Sequence, residues 1–174
     1  MSFGYAIRVF GDPVLKQPSA EIAELDGEVA RLVRGMFTTM YAAPGVGLAA
    51  SQVGVRKRLF VYDVGDGPCV FVNPVITESS GEWLFEEGCL SVPGLSFPIV
   101  RPKLVTVTGM DLDGNEMTIQ GDELLGRVFL HEMDHLDGVL LIDRLDAHER
   151  KAAMRILREQ AAGDAPARPH ASAL

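Results

Sequence analysis

The segment His131-Glu132-Met133-Asp134-His135 limits what this chain can become more than any other stretch. It lies inside Asp122–Gly138, where apolar residues recur at three- and four-residue steps and Gly138 supplies a stop, so the spacing predicts a helix. With His131 set at zero and each residue advancing about 100°, His135 falls near 40° and Glu132 near 100°. Two imidazoles and a carboxylate therefore share one face. Leu125, Phe129, Met133 and Leu136 gather at about 120–200°, the packing side, while Glu123, Arg127 and Asp134 form a polar stripe at about 280–320°. Histidines at i and i+4 can hold one metal ion, and the adjacent Glu can move a proton on nearby water. The same pattern also suits a helix whose histidines are only solvated or hydrogen-bonded in a core. Leu124 and Val128, near 20° and 60°, weigh against that reading, because they set apolar side chains around the imidazoles.

Two histidines need a further ligand, and the sequence offers three kinds: a carboxylate downstream, His148, or Cys89 in Glu87-Gly88-Cys89-Leu90-Ser91. A cysteine in such a stretch is otherwise an inert small hydrophobe. With only Cys69 and Cys89 in the chain, no disulfide scaffold is available, and a thiol is read as a ligand, a nucleophile or a core residue. A third stretch, Gly45-Val46-Gly47-Leu48-Ala49-Ala50-Ser51-Gln52, leaves backbone that a ligand or another chain can approach closely. It has no Gly-Lys-Ser/Thr, so it is a poor phosphate loop. Gln52 is its one long polar side chain, and taken alone it reads as a surface amide.

The remaining chain frames these stretches. A chain of 174 residues predicts one domain, taken as 1–162, followed by a disordered tail over 163–174 that includes His170. Ala6–Phe10 has strand character ahead of the turn Gly11-Asp12-Pro13. Residues 25–43 keep helical spacing and close at Pro44-Gly45. Short apolar runs follow at 59–64, 69–74, 82–90, 100–110 and 116–120, with a hairpin signal at Asp111–Asn115, which predicts antiparallel sheet. Val139–Asp143 reads as a short buried strand, and Asp146 as the cap of a last helix reaching Gln160. The fold class expected is α+β: antiparallel sheets around the central metal-binding helix, with a long helix before it and a helix after it.

Net charge is −8, from 16 basic and 24 acidic residues, which argues against direct DNA binding. No apolar window is long enough for a membrane span, and no signal pattern opens the chain, so a cytoplasmic protein is expected. The last helix is weakly basic and reads either as a solvated face or as a contact for an anionic partner.

Taken together and in order, Gly45–Gln52, Glu87–Ser91 and His131–His135 closely resemble the peptide deformylase family, and the likeness extends over nearly the whole chain, including Gly11-Asp12-Pro13-Val14-Leu15. The resemblance implies removal of the formyl group from the initiator methionine of nascent polypeptides. It implies that Cys89, His131 and His135 hold one divalent metal with water in the fourth position. Ferrous iron is the ion expected in the cell, with zinc, nickel or cobalt able to substitute. It further implies that Glu132 is the general base and acid, and that the Gln52 amide and Leu90 N–H face the oxyanion. Val46, Gly47, Gly88, Leu124 and Val128 match positions lining the methionine pocket. The last helix is a candidate contact for the ribosome. Arg127, where several relatives carry an apolar residue, is expected to point away from the cleft and pair with Glu123 or Asp134; Asp134 is expected to be held by Arg101 or Arg127. Two rivals remain: a zinc peptidase of the His-Glu-x-x-His kind with a downstream ligand, and a non-enzymatic binding domain with a closed metal site or a Cys69–Cys89 bridge.

Overall fold

A computed structural model describes residues 3–163 and 173–174. Its elements are α1 (Gly27–Ala42), β1 (Gly47–Ala49), β2 (Leu59–Tyr62), β3 (Cys69–Ser80), β4 (Trp83–Cys89), β5 (Val92–Arg101), β6 (Leu104–Met110), β7 (Glu116–Asp122), α2 (Leu124–Leu136) and α3 (Ala147–Ala161). The strands form an antiparallel five-stranded sheet of order β1-β2-β3-β6-β7 and a separate β4-β5 hairpin.

Strand β2 shows how the sheet is covered on both sides. All four of its residues are buried. Leu59 and Val61 join a cluster with Val29, Leu32, Val33, Met36 and Met40 of α1. Phe60 and Tyr62, pointing the other way as strand alternation requires, join Val128, Phe129, Met133 and Leu136 of α2. The two helices thus clamp opposite faces, and a strand buried on both faces reads in sequence as an unbroken apolar run. Strand β1 follows the same rule: Leu48 faces α1, whereas Ala49 faces α2. Phe129 anchors the α2 side, standing edge-on to Tyr62 and Phe71 at centroid distances of 5.3 and 5.6 Å.

Helix ends follow the local chemistry. Asp26 caps α1 through Glu28 N and Val29 N, and Asp146 caps α3 through Glu149 N. Gly138 closes α2 with φ of +74° and sits so near Lys16 that a Cβ would lie 2.8 Å from its carbonyl carbon.

Three expectations differ from what is observed. Ala6–Phe10 forms no strand, yet its backbone is tied down, Arg8 N donating to Gln52 O and Phe10 N to Ser91 O. Val139–Asp143 gives a 3₁₀ turn at Leu141–Arg144, because the Asp143 carboxylate accepts from Leu140 N and folds the backbone over itself. Residues 92–99, assigned to no strand, extend the run expected from Val100 backwards into β5, and that run breaks after Arg101 so that β6 begins at Leu104. Cys89 is the last residue of β4, within the run expected over 82–90. The tail expectation falls mostly on residues 164–172, outside the described ones, whereas Ala173 and Leu174 are buried.

Candidate metal centre

Strand β4 and helix α2 bring the donors together. Cys89 Sγ lies 3.3 Å from His135 Nε2. Donor atoms of Cys89, His131 and His135 all lie within 4.8 Å of one another, and all three residues are buried. Tetrahedral zinc with thiolate and imidazole bonds of about 2.3 and 2.0 Å would separate sulfur from nitrogen by about 3.5 Å, so the spacing fits one small cation. His131 Nε2 is buried without a hydrogen-bond partner among the described residues, which fits an atom that ligates a cation.

The other nitrogen of His131 is fixed. Its Nδ1 is 3.1 Å from Glu87 Oε2, which orients the ring and leaves Nε2 as the free donor. Glu87 is fully buried and anchored three more times: by Arg101 Nε and Nη2 at 2.7 and 3.0 Å, and by Arg127 Nη1 at 2.7 Å. Burial pushes the Glu87 carboxyl up, but the hydrogen bond and charge of His131, with Arg101, outweigh it and hold the group at about 2. Arg101 also reaches Asp134 at 2.7 Å, and Arg144 holds that carboxylate from outside.

Burial opposes charge on His131, yet the Cys89 sulfur, Glu87 and Glu132 prevail and raise its pKa well above the ordinary range. Burial and the neighbouring His131 charge drive His135 the other way. Metal binding therefore competes with a proton on His131.

Glu132 is fully buried, and neither carboxylate oxygen has a hydrogen-bond partner among the described residues. Burial pushes it up to about 7. A carboxyl poised near neutrality, beside a metal site, is suited to taking and returning a proton. Gly47 explains how the group is accommodated: a Cβ there would stand 2.5 Å from Glu132 Oε1 and 3.1 Å from Val128 Cγ1.

Gln52 is a buried residue, not a surface amide. Its Oε1 accepts from Ala49 N at 2.9 Å, and its Nε2 donates to Ser91 Oγ at 3.1 Å while lying 3.9 Å from Cys89 Sγ. The amide thus points its donor edge at the donor cluster. Leu90 is buried beside Cys89 in the same region. Val46 and Leu124 are partly buried against the cluster holding Val128, and Gly88 precedes Cys89 on β4.

Two features escaped the sequence reading. Arg127 does not join Glu123 or Asp134: it is completely buried, donating to Glu87, Ile99 O and Trp83 O, with its guanidinium 5.5 Å from the Trp83 ring centroid. Glu123 lies outside the helix at φ of 48° and meets Lys103 instead. Glu87 carried no assigned role. The signal was present, since Arg127 precedes His131 by four residues and so reaches the same carboxylate from one helix face. Asp137, His148 and Glu149, the downstream ligand candidates, are all exposed, and both cysteines are free.

Among the described residues three protein donors meet rather than four, with a buried carboxylate next in sequence to one of them, which is the arrangement of catalytic metal sites and not of closed structural ones. A family model described as polypeptide deformylase matches residues 5–151, so the chain belongs to the polypeptide deformylase family. The peptide deformylase of Clostridium botulinum is 49% identical over 138 residues, covering 79% of this chain and 94% of the relative. That of Acidothermus cellulolyticus is 48% identical over 153 residues, covering 88% and 85%. Among solved structures, the Legionella pneumophila peptide deformylase superposes with a TM-score of 0.87 at 39% identity, over 94% of this chain and 99% of that one. An Ehrlichia chaffeensis peptide deformylase in complex with actinonin gives 0.88 at 36% identity, over 91% and 98%.

Proposed function

We propose that this chain removes the formyl group, as formate, from N-formyl-methionyl ends of nascent polypeptides, and that it does so at Cys89, His131 and His135. The observation that carries the reading is the meeting of one sulfur and two imidazoles, with the buried Glu132, which has no hydrogen-bond partner among the described residues, next to His131 in the helix. Bound there, one divalent cation supplies the Lewis acidity that brings a water's pKa toward neutrality. Ferrous iron is the ion proposed in the cell, with zinc, nickel and cobalt as substitutes.

The chain's own residues do the rest. Glu132 takes the proton as water oxygen attacks the formyl carbon. It then delivers that proton to the methionine nitrogen as the carbon–nitrogen bond breaks, leaving formate and a free amine. The Gln52 amide and the Leu90 N–H are the donors for oxygen charge that develops during attack, and one such donor typically changes rate by about a hundredfold or more. Val46, Gly47, Gly88, Leu124 and Val128 form the walls that receive the methionine side chain. Residues 1–162 act as one catalytic domain, placed in the cytoplasm. No helix among the described residues is long and apolar enough to cross a membrane. The basic residues of α3, among them Lys151, Arg155 and Arg158, are the proposed ribosome contact.

The test is formate release from a formyl-Met peptide by protein loaded anaerobically with ferrous iron. Glu132→Ala is expected to abolish turnover while retaining one metal per chain. Turnover unchanged in that variant would contradict the assignment.

A further inference from the structure

Ala173 and Leu174 are 9% and 3% exposed, although the sequence before them has the composition of a solvated segment. What covers them is the proposed substrate cleft. Leu174 belongs to the cluster of Ala49, Val128, Phe129 and Met133, against which Val46 and Leu124 also pack. Ala173 belongs to the cluster of Met40, Leu48 and Leu90. The Leu174 N–H donates to Gly88 O at 3.3 Å.

That backbone bond is of the kind an added strand makes. Among the described residues β4 pairs with β5 alone and β1 with β2 alone, which leaves each with an unpaired edge; Gly88 and Gly47, both assigned to the cleft, lie on these two strands. Leucine resembles methionine in volume and apolarity, and it lies among residues assigned to the methionine pocket.

We infer that the segment Ala173-Leu174 is a ligand of the chain's own cleft, an autoinhibitory contact that a formyl-methionyl peptide must displace. This rests on the substrate cleft assigned above. The contact is within one chain, since the Leu174 N–H and the Gly88 carbonyl it meets belong to the same polypeptide. A short tether holds its ligand at an effective concentration in the millimolar range. A contact of millimolar affinity would then fill the cleft about half the time and raise KM about twofold, and a tighter one would raise it more.

The experiment compares metal-loaded full-length protein with Leu174→Asp and the conservative Leu174→Met. In Leu174→Asp, KM for a formyl-Met peptide is expected to fall at least twofold with kcat unchanged; Leu174→Met keeps the wild-type KM. Equal KM in wild type and Leu174→Asp overturns the inference. A readout that needs no turnover separates this from failure of the functional reading. Methyl NMR signals of Leu174 are expected away from random-coil positions at every protein concentration, and to move back when unformylated Met-Ala-Ser is added. Random-coil positions in the free protein overturn the contact. A displacement that vanishes on dilution overturns it too, assigning the contact to a second copy.

Discussion

Replacing Glu87 by Gln keeps the side chain's shape and removes its charge from a place where no solvent reaches. Two guanidinium groups, Arg101 and Arg127, and the His131 ring converge on that carboxylate. Arg101 keeps Asp134 after the change, and Arg127 keeps the carbonyls of Ile99 and Trp83. Arg127 nevertheless remains fully buried without a counterion, and breaking a buried pair from one side costs about 3–5 kcal/mol. Proton linkage gives an independent figure. A carboxyl lowered from 4.5 to about 2 contributes about 3 kcal/mol at 1.36 kcal/mol per pH unit. Because the folded-state value is depressed, this stability is complete above pH 4.5 and disappears as pH falls toward 2. With a urea dependence of about 2 kcal/mol per molar, Glu87→Gln should unfold about 1.5 M earlier at pH 7. The gap to wild type should close steadily between pH 4.5 and pH 2. Equal urea midpoints at pH 7 would refute the argument that Glu87 is the charge holding this region together.

Gly47→Ala places a methyl against Glu132 Oε1 and Val128, so it is expected to lower kcat by tenfold or more while changing the melting temperature little; steady-state kinetics beside calorimetry separate the two. Phe129→Ala removes a ring packed against Phe60, Tyr62 and Phe71, which is expected to cost about 3–5 kcal/mol in urea unfolding. Gln52→Leu deletes the amide donor at the cluster while keeping its bulk, and should reduce turnover by about a hundredfold with metal content unchanged, measured by formate release and metal analysis.

The elements easiest to read in the sequence were those whose physics is local. Helix α1 announced itself by its apolar stripe and the Pro44-Gly45 stop, α3 by Asp146, and the end of α2 by Gly138. The ligand pair on α2 followed from the 3.6-residue period. Partners brought in by the tertiary fold were not legible. Helical spacing shows that Arg127 shares a side with His131, but not that β4 delivers Glu87 to that side, so the arginine was assigned to solvent-side acids. The same limit hid the burial of Gln52, which the glycine-rich stretch alone gave as a surface amide and which depends on Ala6–Phe10 and Ser91 closing over it. Strand β5 was missed because Pro93, Gly94 and Pro98 break its pattern; in a two-stranded hairpin lacking an outer neighbour, those residues interrupt no further pairing.

The central claim is that Cys89 completes a metal site with His131 and His135. Loading the protein with cobalt(II) and recording its absorption tests this most directly, because a thiolate ligand adds an intense near-ultraviolet charge-transfer band. Wild type and Glu132→Gln should both show the band and bind one cobalt per chain, and Cys89→Ser should lose it. A band that persists undiminished in Cys89→Ser would contradict the account.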